Sequence, residues 1–490
     1  MTVDILGPGT LLGASPRILV GGEWVATEAT RPVDNPATGL TFTAVPESSP
    51  EHVERAMQAA AVAQKTWART SLPERGAVLD AVMIEIDRHA EELAQIVVAE
   101  QGKTITEARG EVQGIKNFFR VAASNRYRNI GELVAPNQNG EHLIVREEPY
   151  GVVVAIIPWN FPAAIFGRKV APALMAGNAI VLKPSEVTPL APLAMARVCQ
   201  LAGVPDGLIN VLTGPGRETG DQLVRHPLTK VVTVTGSTRA GREILKAAAD
   251  NIIGVSLELG GKAPVIVMED ADLDKAVQLA FEARFWNCGQ VCTCNERSYV
   301  HRSRYDEFVS RISDLARSIR VGDPTDENSQ MGPKVSQPEW DKVKGMVDSA
   351  VAQGARVTTG GGRPDGAEFE QGYWFAPTIL ADCDNEMEIV QQEVFGPVLP
   401  IVPFDTYDEV VKYANSTEYG LTCYVFTESL NTAMQLTDDL EFGEVYINKI
   451  GPEQPQGYHT GWKHSGLGGD DGQHGYQRYV HKKTVYLRYA

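Results

Sequence analysis

The stretch Trp286 to Cys294, WNCGQVCTC, places three of the chain's six cysteines within the seven positions from Cys288 to Cys294. Sulfur at that density can ligate a metal, form a disulfide or act as a nucleophile. As metal ligands the three lack a fourth. Structural zinc sites favour paired cysteines two to four residues apart, yet no second pair exists here and the nearest histidine, His301, lies seven residues past Cys294. Cys292 and Cys294 stand too close for an ordinary disulfide, although a strained oxidised form could act as a switch. Three inert, buried cysteines are a fair reading of the segment taken alone, since free cysteine is among the most buried residue types. A thiol is a strong nucleophile only as thiolate, so it needs a base or local positive potential to lower a pKa near ~8.5. The neighbouring pattern favours this for Cys292. Val277, Phe281 and Phe285 form an apolar stripe on a helix from Leu273 to about Phe285, and Gly289 breaks it. Cys292 then falls at a turn entering a strand, where a side chain can face a cleft.

The elements that must position this thiol read as two βα-rich units. SSPEHVERAMQAAAVAQKTW opens on a capping serine with Pro50 at the first helical position, and Val53, Met57, Ala60 and Gln64 recur at helical spacing. Further helices run from Pro73 to about Ala99. From Gly151 the pattern changes to short β-rich runs alternating with helices: VVVAII (152–157), AIVL (179–182), INVL (209–212), KVVTVT (230–235) and VSLEL (255–259). Continuous apolar strands joined by helical crossovers predict a parallel sheet covered on both faces, which binds ligands beyond the carboxyl ends of its strands. After Gly261 a second such region begins with APVIVM and continues through the cysteine stretch and RSYVHR to about Ile447. Segments 126–146 and 481–489 alternate like strands that belong to neither core and suit an edge or an intersubunit sheet.

Composition narrows the function. A chain of 490 residues exceeds the usual single-domain size, so two or three domains are expected. Hydrophobic residues make up 43% and charged residues 22%, ordinary for a globular α/β protein. The net charge of -17 argues against nucleic acid or an anionic membrane as partner, because phosphates would be repelled. MTVDILGPGT has no basic stretch followed by an apolar run, so no secretory signal is expected. The most apolar segment, YGVVVAIIPWNFPAAIF, is broken by proline and too short for a bilayer span. Six cysteines do not make a disulfide framework, and a reducing cytoplasm is the expected compartment.

Six motifs in order carry a family resemblance: PWNFP (158–162), KPSE (183–186), TGST (235–238), ELGGKAPVIV (258–267), GQVC (289–292) and EVFGPV (393–398). The chain resembles the aldehyde dehydrogenase superfamily from about residue 18 to its C-terminus. GQVCTCNERSYV and QGYHTGWKHSGLGGDDGQHG are most similar to the branch that oxidises lactaldehyde and glycolaldehyde. The resemblance implies an α/β fold with a Rossmann-like parallel-sheet NAD-binding domain (1–125 and 147–258) and an α/β catalytic domain (259–448). It also implies a small β element for homo-oligomerisation (126–146 and 470–490), as a dimer or tetramer.

By the same resemblance Cys292 attacks the aldehyde carbonyl, and the side-chain amide of Asn160 with the Cys292 backbone N–H holds the resulting oxyanion. Glu258 is the implied base that brings water to the thioester, favouring hydrolysis over transfer to coenzyme A. Cys288 and Cys294 have no implied step and are expected to pack, although Cys294 could condense with an oxidised Cys292. The usual dinucleotide fingerprint G-x-G-x-x-G is absent, and GPGRETG (214–220) has the wrong spacing and reads as a turn and helix start. TGSTRAG (235–241) follows a strand and opens a helix, so free N–H groups at Gly236 and Ser237 can meet a pyrophosphate. Lys183, Ser185 and Glu186 are implied around the adenosine ribose, where Glu186 favours NAD over NADP by repelling a 2′-phosphate. Glu393 and Phe395 are implied at the nicotinamide riboside, and Ile156, Pro158, Trp159 and Leu259 along the same cleft. No metal is implied.

For the substrate, Arg168 lies eight residues after Asn160, a spacing that lets both face one cleft if they share a helix. An arginine there suggests a hydroxyl, carboxylate or sulfonate on the substrate. Glu453 and His459 match positions that touch the hydroxyl end of the substrate in the lactaldehyde branch, and Thr293 adjoins the nucleophile. The expected reaction is NAD-dependent oxidation of a short polar aldehyde, lactaldehyde or glycolaldehyde in type, to its acid. The alternative is an anionic aldehyde such as succinate semialdehyde or sulfolactaldehyde.

Overall fold

Strands Val152–Ile156, Ala179–Lys183, Ile209–Val211, Thr229–Thr235 and Gly254–Glu258 run parallel in one sheet. Their β-branched runs are buried almost throughout, as expected of strands covered on both faces. In space the order is third, second, first, fourth, fifth, so the chain reverses direction between Val152–Ile156 and Thr229–Thr235. The loops leaving these two strands diverge, and the crevice between them is where such a sheet takes ligands. Ile18–Val20 and Glu23–Val25 add an antiparallel edge on one side. The other edge is closed by Gly466–Leu467, which pairs Leu467 with Leu257 and Gly466 with Glu258. That short strand was not expected, since two residues carry no periodicity. It brings the segment before and after it over the end of the Glu258 strand.

The structure is a computed structural model describing residues 5–489. Expectations that touch residues 1–4 and 490 lie outside the described residues.

Only Leu259, Gly260, Gly261 and Lys262 separate Glu258 from Ala263–Val267, the first strand of a second sheet. This sheet is parallel from Thr378–Ala381 through Val398–Phe404, Asn295–His301, Ala263–Val267, Thr422–Phe426 and Glu444–Ile447, with Arg356–Thr359 antiparallel at one edge. The carboxyl end of the first sheet therefore faces the amino end of the second. Cys292 sits just before Asn295–His301, on that shared side.

A third, antiparallel sheet of Gly131–Val134, Glu141–Pro149 and Val480–Arg488 stands apart from both. Its middle strand runs on to Pro149, past the expected end at 146. The expected strand segment from 470 begins as the short helix Gly472–Tyr476 and the turn Gln477–Tyr479.

Helix starts follow local chemistry. Ser49, Ser71 and Thr104 each form a capping box at the helices Pro50–Trp67, Leu72–Arg88 and Ile105–Ser124. The box at Thr104 also serves the site, because its Glu107 reaches across to the cysteine loop.

Candidate active site

The helix carrying the apolar stripe ends at Phe285, as its stripe predicts. Asn287 (φ 50°), Cys288 (φ 55°) and Gly289 (φ 67°) then take left-handed backbone in succession and reverse the chain. A Cβ at Gly289 would collide with the Gly396 carbonyl oxygen, so no side chain fits there. Asn287 N donates to Glu107 Oε1 (2.7 Å), Arg284 donates to the carbonyls of Gly289 (2.8 Å) and Asn295 (2.7 Å), and Val335 N donates to Gln290 Oε1 (2.9 Å). This frame sorts the thiols. Cys288 and Cys294 are buried, and burial pushes each up to about 12. Cys292 alone of the three is partly exposed.

Asn160 lies just past the strand Val152–Ile156, at the reversal point, and is buried. Its side-chain amide donates to the Gln290 carbonyl at 3.0 Å, two residues before Cys292. Its own backbone carbonyl accepts from Lys103 Nζ (2.9 Å) and Asn287 Nδ2 (3.1 Å). Lys103 pairs with Glu111 at 2.6 Å, and Glu111 also accepts from the first amides of the helix Pro162–Ala176. Lys103, Glu107, Glu111 and Asn287 were not singled out from sequence, because nothing in their spacing points to Asn160.

Glu258 ends its strand fully buried, and neither carboxylate oxygen has a hydrogen-bond partner among the described residues. The loop after it packs on the nucleophile: a Cβ at Gly261 would stand 2.8 Å from the Cys292 carbonyl oxygen. Burial pushes the Glu258 carboxyl above the usual range and Asp470 adds to this, whereas His459, Lys169 and Arg168 oppose it. His459 is the nearest of these, with Nε2 3.6 Å from Glu258 Oε2. Lys169 pairs with Asp470 at 2.5 Å; the two are 301 residues apart, and no sequence signal joins them.

Cofactor-side residues gather around the crevice at the reversal point. Ser237 caps the helix Thr238–Ala249, its hydroxyl accepting from Ala240 N (3.3 Å), with Gly236 just before it. Thr235 ends the adjoining strand with a buried hydroxyl that has no partner among the described residues. A Cβ at Gly220 would lie 3.6 Å from Lys183 and 3.7 Å from Ile156, so those two side chains converge. Burial pushes the Lys183 ammonium down to about 8, against the pull of Glu186. Glu186 accepts from Gly216 N (2.8 Å) and lies 3.3 Å from Arg31. GPGRETG is thus a π-helical turn that holds the Glu186 carboxylate. Ser185 stays local, its hydroxyl accepting from Val187 N at 3.3 Å. Leu259 is buried, and its amide donates to the Ser465 carbonyl at 2.8 Å. Trp159, one residue past the half-buried Pro158, meets Phe395 edge to face at 5.2 Å, and Glu393 accepts from Gly261 N at 2.8 Å. Glu296 holds the Glu393–Phe395 loop by accepting from Val394 N (2.8 Å) and Phe395 N (2.9 Å). A capped helix start, an unpartnered hydroxyl and a carboxylate beside a lysine at one crevice fit a dinucleotide.

A cavity of about 500 Å³ opens at the cysteine loop, lined by Phe285, Trp286, Val291, Thr293, Cys294 and Tyr424 among others. Cys292 lies between two lining residues. Arg168 departs from expectation. Its helix starts at Pro162, so Asn160 is not on it and the eight-residue spacing does not align the two. The guanidinium is buried and bonded to Glu453, with Asp471 at 3.1 Å. Burial works against the Glu453 charge, but Arg168 and His459 hold that carboxyl down to about 2; burial with Asp470 and Glu453 pushes Asp471 up to about 7. An arginine already shared by two carboxyls does not offer a free cation to an anionic substrate.

The chain matches the aldehyde dehydrogenase family over residues 24–485, and it belongs to that family. It is an NAD(P)-dependent aldehyde dehydrogenase. It is 58% identical over 492 residues, covering 100% of each chain, to a 3,6-anhydro-alpha-L-galactose dehydrogenase of Streptomyces coelicolor. A lactaldehyde dehydrogenase of Escherichia coli is 40% identical, over 96% of this chain and 98% of that one. Among solved structures, a 3,6-anhydro-L-galactose dehydrogenase in complex with NAP superposes with a TM-score of 0.94 at 44% identity, over 96% of this chain and 99% of that one. A betaine aldehyde dehydrogenase of Staphylococcus aureus in complex with NAD+ also gives 0.94, at 35% identity over 96% and 95%. Among the described residues, no helix is long and apolar enough to cross a membrane.

Proposed function

We propose that the chain oxidises a neutral, hydroxylated aldehyde to its carboxylic acid with NAD, and that 3,6-anhydro-L-galactose is its foremost substrate. The observation that carries this reading is the 58% identity over both full lengths to the Streptomyces coelicolor enzyme named for that sugar. The sugar is uncharged and bears an aldehyde with a hydroxyl on the next carbon. Lactaldehyde and glycolaldehyde, expected from the sequence, are short members of the same hydroxyaldehyde class. The Glu453 and Asp471 carboxyls around Arg168 favour hydroxyls over the anionic tails of succinate semialdehyde or sulfolactaldehyde.

Cys292 is the nucleophile in this reading. Its sulfur bonds to the carbonyl carbon, and the new oxyanion takes hydrogen bonds from the Cys292 backbone N–H and the Asn160 amide, whose other N–H already serves Gln290. NAD, when bound, would supply the hydride acceptor for collapse of this adduct to the thioester. Glu258 then takes a proton from water, the water oxygen bonds to the acyl carbon, and the C–S bond breaks to release the acid and the Cys292 thiolate. Ser237 and Gly236 hold the pyrophosphate, Lys183 and Glu186 the adenosine ribose, and Glu393 the nicotinamide ribose. The Glu186 carboxylate favours NAD over a 2′-phosphorylated cofactor. Exposed Leu133 and Tyr486 on the third sheet support homo-oligomerisation through that sheet. Six free thiols suit a reducing compartment such as the cytoplasm.

Assays of 3,6-anhydro-L-galactose, lactaldehyde, glycolaldehyde, succinate semialdehyde and sulfolactaldehyde, each with NAD and NADP, test the reading. The expected result is a kcat/KM for the anhydro sugar with NAD at least ~10-fold above the anionic aldehydes. A preference for either anionic aldehyde overturns it.

A further inference from the structure

The His459 ring stands among three reactive or charged groups. Nε2 lies 3.6 Å from Glu258 Oε2, Nδ1 lies 3.3 Å from Glu444 Oε2 without a hydrogen bond, and the Cys292 side chain is close enough to bear on the ring's charge. The backbone fixes the ring there. His459 N donates to the Asp470 carbonyl (3.0 Å), and Asp470 N donates back to the His459 carbonyl (2.8 Å). Glu258 ends the last long strand of the first sheet, and Glu444 opens the last strand of the second. One buried ring thus joins both sheets to the nucleophile loop.

Charge accounting gives the ring a task. Glu258 has no hydrogen-bond donor on either oxygen among the described residues, and a buried carboxyl without opposing charge keeps its proton. A protonated carboxyl cannot take another proton from water. Besides His459, the charged groups facing Glu258 are Asp470, Lys169 and Arg168. Lys169 is matched by Asp470, and Arg168 by Glu453 and Asp471, so neither cation is free for Glu258. His459, although it also faces Glu444, is the basic side chain nearest to Glu258. Burial opposes a charged ring, yet Glu258, the Cys292 side chain and Glu444 raise it well above the ordinary histidine value; Glu453 and Asp471 also feel its charge.

We propose that His459 is a positioning residue for the second half-reaction: its buried ring, 3.6 Å from Glu258 Oε2 and facing Glu444 on its other side, opposes the burial that keeps a proton on the Glu258 carboxyl and so enlarges the share of enzyme in the proton-accepting form. This goes beyond contact with a substrate hydroxyl. It rests on the reading of Glu258 as the base.

The test uses the full-length enzyme with NAD and limiting 3,6-anhydro-L-galactose or lactaldehyde, comparing the unmodified protein with H459F and H459Q. The acyl-enzyme is quenched at intervals and its decay followed by intact mass across pH 6 to 9. First-turnover NADH is read in parallel. The expected result is that NADH still appears at near one per chain, while acyl-enzyme decay at pH 7 slows ~10-fold, the factor that a one-unit rise in the Glu258 pKa gives. The acid limb of the decay profile is expected to move up by about one unit or more. H459Q keeps a polar side chain at the position, so the test survives if H459F fails to fold; melting temperature and NAD affinity report the fold. An unmoved acid limb in a folded variant overturns the proposal, as does a rise in aldehyde KM alone, which would leave His459 as a substrate contact. E258Q separates this from the parent reading. If E258Q releases its acyl group at the unmodified rate, Glu258 is not the base; if E258Q stalls while the histidine variants do not, only the role of His459 fails.

Discussion

Asn287, Cys288 and Gly289 take left-handed backbone one after another, and this turn separates thiols of equal intrinsic chemistry. Cys288 and Cys294 end buried, where desolvation disfavours thiolate although Cys294 borders the cavity, and Cys292 ends partly exposed between the lining residues Val291 and Thr293. The family resemblance of the ordered motifs singled out Cys292, Glu258 and Asn160 as candidates. It could not show that His459 stands beside Glu258 or that Lys103 and Asn287 hold the Asn160 backbone, because those contacts join distant parts of the chain. Arg168 shows what residue type leaves out: its charge suggested a hydroxyl, carboxylate or sulfonate on the substrate, and within the protein it pairs with Glu453 and Asp471. Arg168→Leu would leave those carboxyls without their cation, at a cost of roughly 3 kcal/mol of stability. A clearly lower urea midpoint is the expected outcome, and an unchanged midpoint would show that the cluster does not bear on folding.

Strands and helices were legible where periodicity was strong. KVVTVT and APVIVM form the strands Thr229–Thr235 and Ala263–Val267, and the helix Leu273–Phe285 has the bounds its apolar stripe gave. Gly466–Leu467 was not legible, and neither was the role of GPGRETG, which holds Glu186 through a backbone amide. Spacing against a known fingerprint rejected that loop as a phosphate cradle, but spacing says nothing about which side chain a turn will grip. The loop Glu393–Phe395 depends likewise on a residue outside its motif. Buried Glu296 accepts from two of its amides and pairs with Lys262 at 2.9 Å and Arg284 at 3.3 Å, and these contacts hold its carboxyl down to about 2 despite burial. Glu296→Ala removes the anchor and leaves two buried cations unmatched. The expected result is a loss of about 3 kcal/mol in stability with weakened NAD binding by calorimetry. An unchanged NAD affinity would show that the loop is held by other means.

The whole molecule is two parallel sheets set end to end, the carboxyl end of one facing the amino end of the other across a four-residue connection from Glu258 to Ala263. That arrangement brings the crevice at the reversal point, the thiol and the cavity to one place. The C-terminal segment closes it by pairing with the Glu258 strand and supplying His459 and Asp470. The division into two sheets was legible because Val- and Ile-rich strands alternate with helices on both sides of Gly261. How the tail returns over the site was not, because its glycine-rich stretch has no period. The account stands on Cys292 carrying the acyl group until Glu258 admits water. Intact mass of Glu258→Gln after mixing with NAD and 3,6-anhydro-L-galactose tests this most directly. The account predicts an adduct of the acyl mass on the peptide bearing Cys292 and about one NADH per chain. Continued turnover with no adduct, or an adduct on Cys288 or Cys294, would contradict it.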